Sequence, residues 1–250
     1  MLTHADVWYM FPDAIRDPEL LNDYWNILSN DEISRCERFC FDRDRHRHLV
    51  TWALARTMLS NYADISPKAW EFGNNQHGRP HISGPVSAPN LRFNLSHTSN
   101  LIACIVAPEL DVGIDVEDCR RNISGPAIAR RYFSAREVAA FERLTKNEQA
   151  AAFFEYWTLK EAYVKAVGRG ISLGLARFSF ELDDRGLRVD DPERRPARIS
   201  FDGLNEDPAA WQFAQYTPTP HHAMAIAIRC GVGKDLEIHL KEVGPNLESC

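Results

Sequence analysis

Between Thr145 and Gly168 the chain has one course open to it, a long helix. Thr145-x-x-Glu148 is a capping box at one end and Gly168 suits the left-handed cap at the other. Phe153, Phe154, Trp157, Val164 and Val167 lay an apolar stripe between them, so this helix must pack against something large. Beside the stripe stand Lys160, Glu161 and Lys165, with Glu161 one turn after Trp157 and one turn before Lys165. About forty residues upstream, Gly113-Ile114-Asp115-Val116-Glu117 reads as a strand whose two carboxylates, at i and i+2, share a face while Ile114 and Val116 point into a core.

Two carboxylates this close repel when buried bare, and a hard divalent cation removes the repulsion. Oxygen-only donors favour Mg²⁺, with Mn²⁺ as a substitute, over zinc. Each segment alone reads as ordinary surface: solvated acids at a strand end, and an i,i+4 Glu-Lys pair. Partial burial of Glu161 among Trp157, Tyr163 and Val164 changes that, because a buried acid needs a cation. Asp115, Glu117 and Glu161 therefore form a candidate metal set, and Lys160 and Lys165 suit phosphate oxygens just outside it.

The rest of the chain alternates helix and short strand. A strand is expected at Asp6–Met10, helices from Pro18 and from Asp31, and a long helix over Asp42–Tyr62. Residues 73–80 read as a loop. Strand-like runs follow at Leu91–Leu95, Leu101–Ala107 and Val112–Val116, and a second capping box, Ser134-x-x-Glu137, opens another helix. Further strands are expected at Phe178–Leu182, Ile199–Phe201, Trp211–Tyr216 and Ala223–Ile228, while the segment after Gly231 carries no signal. Leu101–Val106 and Met224–Ile228 look like counterpart central strands. Phe93-Asn94-Leu95-Ser96-His97-Thr98 ends a strand in a hydroxyl, an imidazole and a hydroxyl, as phosphate-contacting strand ends do.

Composition bounds the function. A net charge of −6 over 250 residues argues against a general nucleic-acid binder. No apolar run approaches the ~20 residues of a membrane span, and the N-terminus lacks signal-peptide order, so the expected location is the cytoplasm. The six cysteines are dispersed without a C-x-x-C pair and read as reduced thiols. Neither Cys36 with Cys40 nor His221-His222 sits in a complete ligand set. Glycines 168, 170 and 174 follow a helix instead of joining strand to helix, which excludes a dinucleotide loop. From Cys119 to Lys146, Arg120, Arg121, Arg130, Arg131, Arg136, Arg143 and Lys146 face only Glu137 and Glu142, a basic excess fit for an acidic partner or for a solvated helical face.

These residues together resemble the Sfp-type 4′-phosphopantetheinyl transferases. The strand Gly113–Glu117 and the helix Trp157–Lys165 match the family's two signatures. Gly78-Arg79-Pro80 and Asn94-Leu95-Ser96-His97 match two ancillary motifs, and Arg47 and Arg56 are placed as in the family. The resemblance covers roughly residues 35 to 170. It implies an α+β fold of two similar subdomains about a pseudo-twofold axis, divided here as 1–108 and 109–250, with the ligand cleft between them. It implies transfer of 4′-phosphopantetheine from coenzyme A to a serine of an acyl or peptidyl carrier protein, releasing 3′,5′-ADP. Asp115, Glu117 and Glu161 would hold Mg²⁺, with Asp115 also facing the coenzyme A pyrophosphate, and Glu161 and Lys165 would be catalytic. Arg47, Arg79, Pro80, Ser96, His97, Lys160 and Lys165 would contact coenzyme A. Where the family often has a lysine near the start of the Asp42 helix, this chain has Asp42 itself, which leaves open whether Arg43 or Arg45 meets the 3′-phosphate. An acidic carrier protein and a monomeric enzyme are expected. Two other readings stay open: a Mg²⁺-dependent phosphohydrolase acting on coenzyme A or a nucleotide, and a silent module that binds coenzyme A or a carrier protein.

Overall fold

The computed structural model describes residues 4–123, 125–182 and 195–247. It is a mixed α+β chain that divides into two compact units. Among the described residues, one takes in 4–109 and 237–247, and the other lies within Leu110–Leu236.

In the first unit, strand β1 (His4–Met10) leads to helices α1 (Pro18–Ile27), α2 (Asn30–Glu37) and α3 (Asp42–Ser60). The hairpin β2 (Glu71–Asn74) and β3 (Pro80–Gly84) follows, then β4 (Leu91–Thr98) and β5 (Leu101–Pro108). In the second unit, β6 (Val112–Asp118) leads to α4 (Gly125–Tyr132), α5 (Ala135–Phe141) and α6 (Lys146–Val167). Then come β7 (Phe178–Glu181), β8 (Arg195–Pro196), β9 (Arg198–Phe201), β10 (Trp211–Thr219) and β11 (His222–Arg229). A last strand, β12 (Glu237–Glu242), belongs to the first unit.

Each unit builds its sheet around a fully apolar strand. β5, buried along nearly its whole length, lies between β1 and β4; β11, equally buried, lies between β6 and β10. The order first strand, helices, penultimate strand, central strand is thus the same in both, which supports reading β5 and β11 as counterparts. In the first unit α3 packs on β5 and β4; in the second α6 packs on β6 and β11. Both capping boxes form, with Ser134 and Thr145 each accepting from the N3 amide while Glu137 and Glu148 reach back. Gly168 ends α6 at φ 71°, the left-handed region where a Cβ is costly.

Three expectations need correction, and one helix, α4, was not among those expected. The segment after Gly231 is not featureless: β12 pairs in parallel with β1, register His4 with Glu237 through Tyr9 with Glu242, and so residues 237–247 belong with the first unit and not with a subdomain of 109–250. Its strand pattern was hidden because β12 is an edge strand, half-buried and charged. The loop over 73–80 is instead the tip of the β2–β3 hairpin, where Asn75 Oδ1 accepts from the amides of His77 and Arg79 and Gly78 takes φ 82°. Helix α4 opens on Gly125-Pro126, with proline well placed in a first helical turn. Lastly, the core does not lie only on the Ile114 and Val116 side of β6, since both faces of this strand are buried.

Candidate active site

The site begins with a missing side chain. Gly113, Asp115 and Glu117 share one face of β6, opposite Ala227, Ala225 and Ala223 of β11. A Cβ built on Gly113 would lie 2.0 Å from the Ala162 carbonyl oxygen and 2.5 Å from the Ala166 amide nitrogen. Glycine and three alanines therefore let α6 lie directly on the strands, and the acids stand under a helix instead of pointing at solvent. At this contact Lys165 Nζ reaches Asp115 Oδ1 at 2.7 Å and donates to the Ile114 carbonyl at 3.0 Å. Trp157, Glu161 and Lys165, one turn apart each, form a half-buried line along α6.

The charges on this patch are out of balance. Asp115 is 5% exposed. Burial raises the Glu117 carboxyl above its ordinary value and Asp115 raises it further, opposed by Arg121, whose guanidinium lies 2.6 Å from Glu117 Oε2, and by Lys165. Glu161 is pushed up to about 7, first by burial, then by Asp115 and Glu117, against the pull of Lys165. Its Oε1 is buried with no hydrogen-bond partner among the described residues. A set of coupled carboxylates, one with an oxygen left unsatisfied, fits a hard divalent cation, which would supply the charge the protein cations do not. In this arrangement Lys165 and Arg121 hold Asp115 and Glu117. Among the described residues, the one group whose ligand atoms gather within 4.8 Å of one another is elsewhere, at His4, Asp6 and His239.

The expected contacts in the first unit are placed as follows. Arg47, on α3, is half-buried and pairs with Asp44 at 2.8 Å. Arg79 and Pro80, at the β2–β3 turn, line a pocket of about 210 Å³ with Asn75, His81, Arg92 and Phe93. Ser96 and His97 lie outside that lining, in β4, the first buried and the second exposed, so they face opposite ways. Arg56, matched to the family by position, is 1% exposed. It forks onto Glu32 at 2.8 and 3.0 Å and bonds the carbonyls of Pro67 and Trp70, a structural clamp. Arg45 spends its guanidinium on Asp42 and the Phe39 carbonyl, while Arg43 is exposed over the Phe41 ring, which leaves Arg43 the more available of the two. Arg121 was missed, though its spacing four residues after Glu117 was a readable signal.

Comparison with known proteins places this geometry. Residues 111–227 match the 4′-phosphopantetheinyl transferase superfamily, and residues 18–109 match the N-terminal part of 4′-phosphopantetheinyl transferases. The 4′-phosphopantetheinyl transferase HetI of Nostoc is 30% identical over 225 residues, 90% of this chain and 88% of that protein. The chain belongs to the 4′-phosphopantetheinyl transferase superfamily. Sfp of Bacillus subtilis is 29% identical over 72% of this chain and 78% of its own length. The human L-aminoadipate-semialdehyde dehydrogenase-phosphopantetheinyl transferase is 28% identical over 81% of this chain and 67% of its own length.

For this transferase one expected contact has to be withdrawn. Lys160 does not face phosphate: its side chain is 0% exposed, and its three donors go to Glu137 Oε2 at 2.8 Å, Leu175 O at 2.7 Å and Phe178 O at 2.8 Å. The rings of Phe133 and Phe178 flank it. Burial lowers the ammonium from its ordinary value, opposed by Glu137. The pair ties α6 to α5 and to β7, since Glu137 also accepts from the Phe180 amide. Lys160→Met is therefore expected to destabilise the fold by about 3 kcal/mol, the low end for breaking a buried pair, because Glu137 keeps its amide donors. Urea unfolding would measure it, and an unchanged midpoint would show the pair to be dispensable.

Proposed function

We propose that this chain transfers 4′-phosphopantetheine from coenzyme A to a serine hydroxyl of an acidic acyl or peptidyl carrier protein, releasing 3′,5′-ADP, and that Asp115, Glu117 and Glu161 hold the Mg²⁺ it requires. Membership of the transferase superfamily supports the reaction. The observation that carries the metal assignment is the buried, unsatisfied oxygen of Glu161 beside two further carboxylates. Mg²⁺, or Mn²⁺ in its place, would neutralise the pyrophosphate and the departing 3′,5′-ADP. Lys165 supplies a fixed positive charge next to Asp115, where negative charge on a phosphate would grow. Glu161 or a water beside it would take the serine proton. Arg47, Arg79, Pro80, Ser96 and His97 stay as proposed contacts to coenzyme A.

The acidic partner follows from α4 to α6. Three cations of the basic stretch are already engaged: Arg120 with Asp118, Arg121 with Glu117 and Arg130 with Glu142. Arg131, Arg136, Arg143 and Lys146 are exposed, and Arg131 lines an apolar pocket of about 430 Å³ with Ala127, Ile128, Tyr132, Trp157 and Leu175. Exposed cations around an apolar pocket suit a carrier helix with an acidic rim and an apolar tip. The proposed enzyme is a cytoplasmic monomer. No helix among the described residues is long and apolar enough to cross a membrane.

Incubation with coenzyme A, Mg²⁺ and an apo carrier protein, followed by intact mass of the carrier, tests the reaction. A phosphopantetheine adduct on the serine is the expected product. Hydrolysis of coenzyme A without an adduct would favour a phosphohydrolase, and binding with neither product a silent module. For docking, kcat/KM for the carrier is expected to fall about tenfold between low and moderate salt while kcat holds, as steered association does.

A further inference from the structure

A second group of donors, none of them used above, lies on the first unit. β1 and β12 run in parallel with Asp6 opposite His239 and His4 opposite Glu237, so the four side chains share one face of the pair. His4 Nε2 lies 3.3 Å from Asp6 Oδ2, and His239 Nδ1 lies 3.4 Å from Asp6 Oδ1. One ligand atom from each of the three residues falls within 4.8 Å of the others, and the two imidazoles stack at 4.4 Å. Glu237 Oε1 is 3.3 Å from the other nitrogen of His239.

We propose that His4, Asp6 and His239 form a zinc site that pins the last strand of the chain to the first. The donor set decides the metal class: two imidazoles and a carboxylate suit Zn²⁺ and exclude the all-oxygen preference of Mg²⁺. The spacing is within reach of a metal: one ligand atom per residue already gathers within 4.8 Å, and a modest closing of the two rings onto one oxygen of Asp6 would bring the three to the separation of about 3.3–3.4 Å that bonds of about 2.0–2.1 Å in a tetrahedron require. Asp6 is prepared for the role. It is 5% exposed, Tyr62 donates to its Oδ2 at 2.5 Å and Lys241 to its Oδ1 at 3.1 Å. Such bonds to a ligating carboxylate fix its orientation, as outer partners of metal sites do. Lys241, paired with Asp6 at 3.1 Å, is the cation that faces the site, and Glu237, 3.3 Å from the other nitrogen of His239, is a second anion beside it. The imidazoles are half-exposed, giving the ion an entry path and an open fourth position for water.

The role follows from topology. β12 is joined to β1 by no local turn: almost the whole chain lies between them, and the rest of β12 is an edge. A metal bound by the folded pairing and not by the unfolded chain stabilises that pairing by mass action. The test uses the full chain stripped of metal and titrated with ZnCl₂, read by calorimetry and thermal unfolding, with Co²⁺ as a spectroscopic probe. One ion per chain is expected, at micromolar or tighter affinity. The Tm is expected to rise by about 5 °C at a hundredfold excess over the dissociation constant, and the Co²⁺ spectrum should be that of a four-coordinate nitrogen and oxygen site. The double variant His4→Ala/His239→Ala should lose at least 30-fold in affinity and the Tm shift, yet keep its Mg²⁺-dependent transfer rate. Zinc bound equally well by that variant, thiolate charge-transfer bands with Co²⁺, loss of binding in Glu161→Gln, or no binding at all would each overturn the proposal.

Discussion

Glu161→Gln is expected to lower kcat for carrier modification by about 10³-fold, the scale of losing one ligand of a charge-stabilising metal, and at the same time to make the metal-free protein more stable at pH 8. The two effects have one cause. Glu161 is held among Asp115 and Glu117 with a buried oxygen that no hydrogen bond satisfies. A carboxyl raised from 4.5 to about 7 binds its proton more tightly in the folded state than in the unfolded one. The stability this lends is fully present below about pH 4.5 and is lost as pH rises to about 7. Glutamine is neutral throughout, so the variant should match the wild type near pH 4 and exceed it by about 2 kcal/mol at pH 8, at ~1.4 kcal/mol per pKa unit with some solvent screening. Urea unfolding in EDTA at both pH values, beside the mass assay in Mg²⁺, reads both. Transfer within tenfold of wild type would remove Glu161 from the metal set. A variant less stable at pH 8 would mean that Lys165 already compensates the acid.

Gly113→Ala should cost about 3 kcal/mol or more, at or beyond the usual upper range for an added methyl in a packed core. The atoms a Cβ would meet, at 2.0 and 2.5 Å, are backbone atoms of α6, which cannot rotate away as a side chain does. Either α6 moves off β6 or the strand bends. Both separate Lys165 from Asp115, so the fraction that folds should transfer slowly as well. A wild-type unfolding midpoint would show that helix and strand are not in the contact described. Failure to fold agrees with the expectation.

Much of this was legible in the linear chain, for local reasons. The capping boxes at Ser134 and Thr145 and the Gly168 cap act within a few residues, and each formed where the spacing put it. The apolar runs at Leu101–Ala107 and Ala223–Ile228 could serve only as central strands, and both do. The signature carboxylates were legible too, by their period of two and their distance from the helix. What could not be read was which side of β6 the helix would cover. The alternation places Asp115 with Glu117 and Ile114 with Val116, but it does not say that both faces will be buried.

Lys160 and Lys165 show the division most clearly. Both lie on one helix, five residues apart, and local pattern treats them alike. Their fates are opposite because five residues turn a helix well past one full turn. One ammonium meets Glu137 and two carbonyls in the core, and the other meets Asp115 at the edge of the strand. The same limit hid β12, whose partner β1 lies at the far end of the chain, and with it the meeting of His4, Asp6 and His239. The sequence by itself determined the elements, their caps and the chemical types that carry the reaction, because those depend on neighbours a few residues away. Only the tertiary structure decided which charges meet, since that depends on packing between segments whose separation along the chain leaves no local trace.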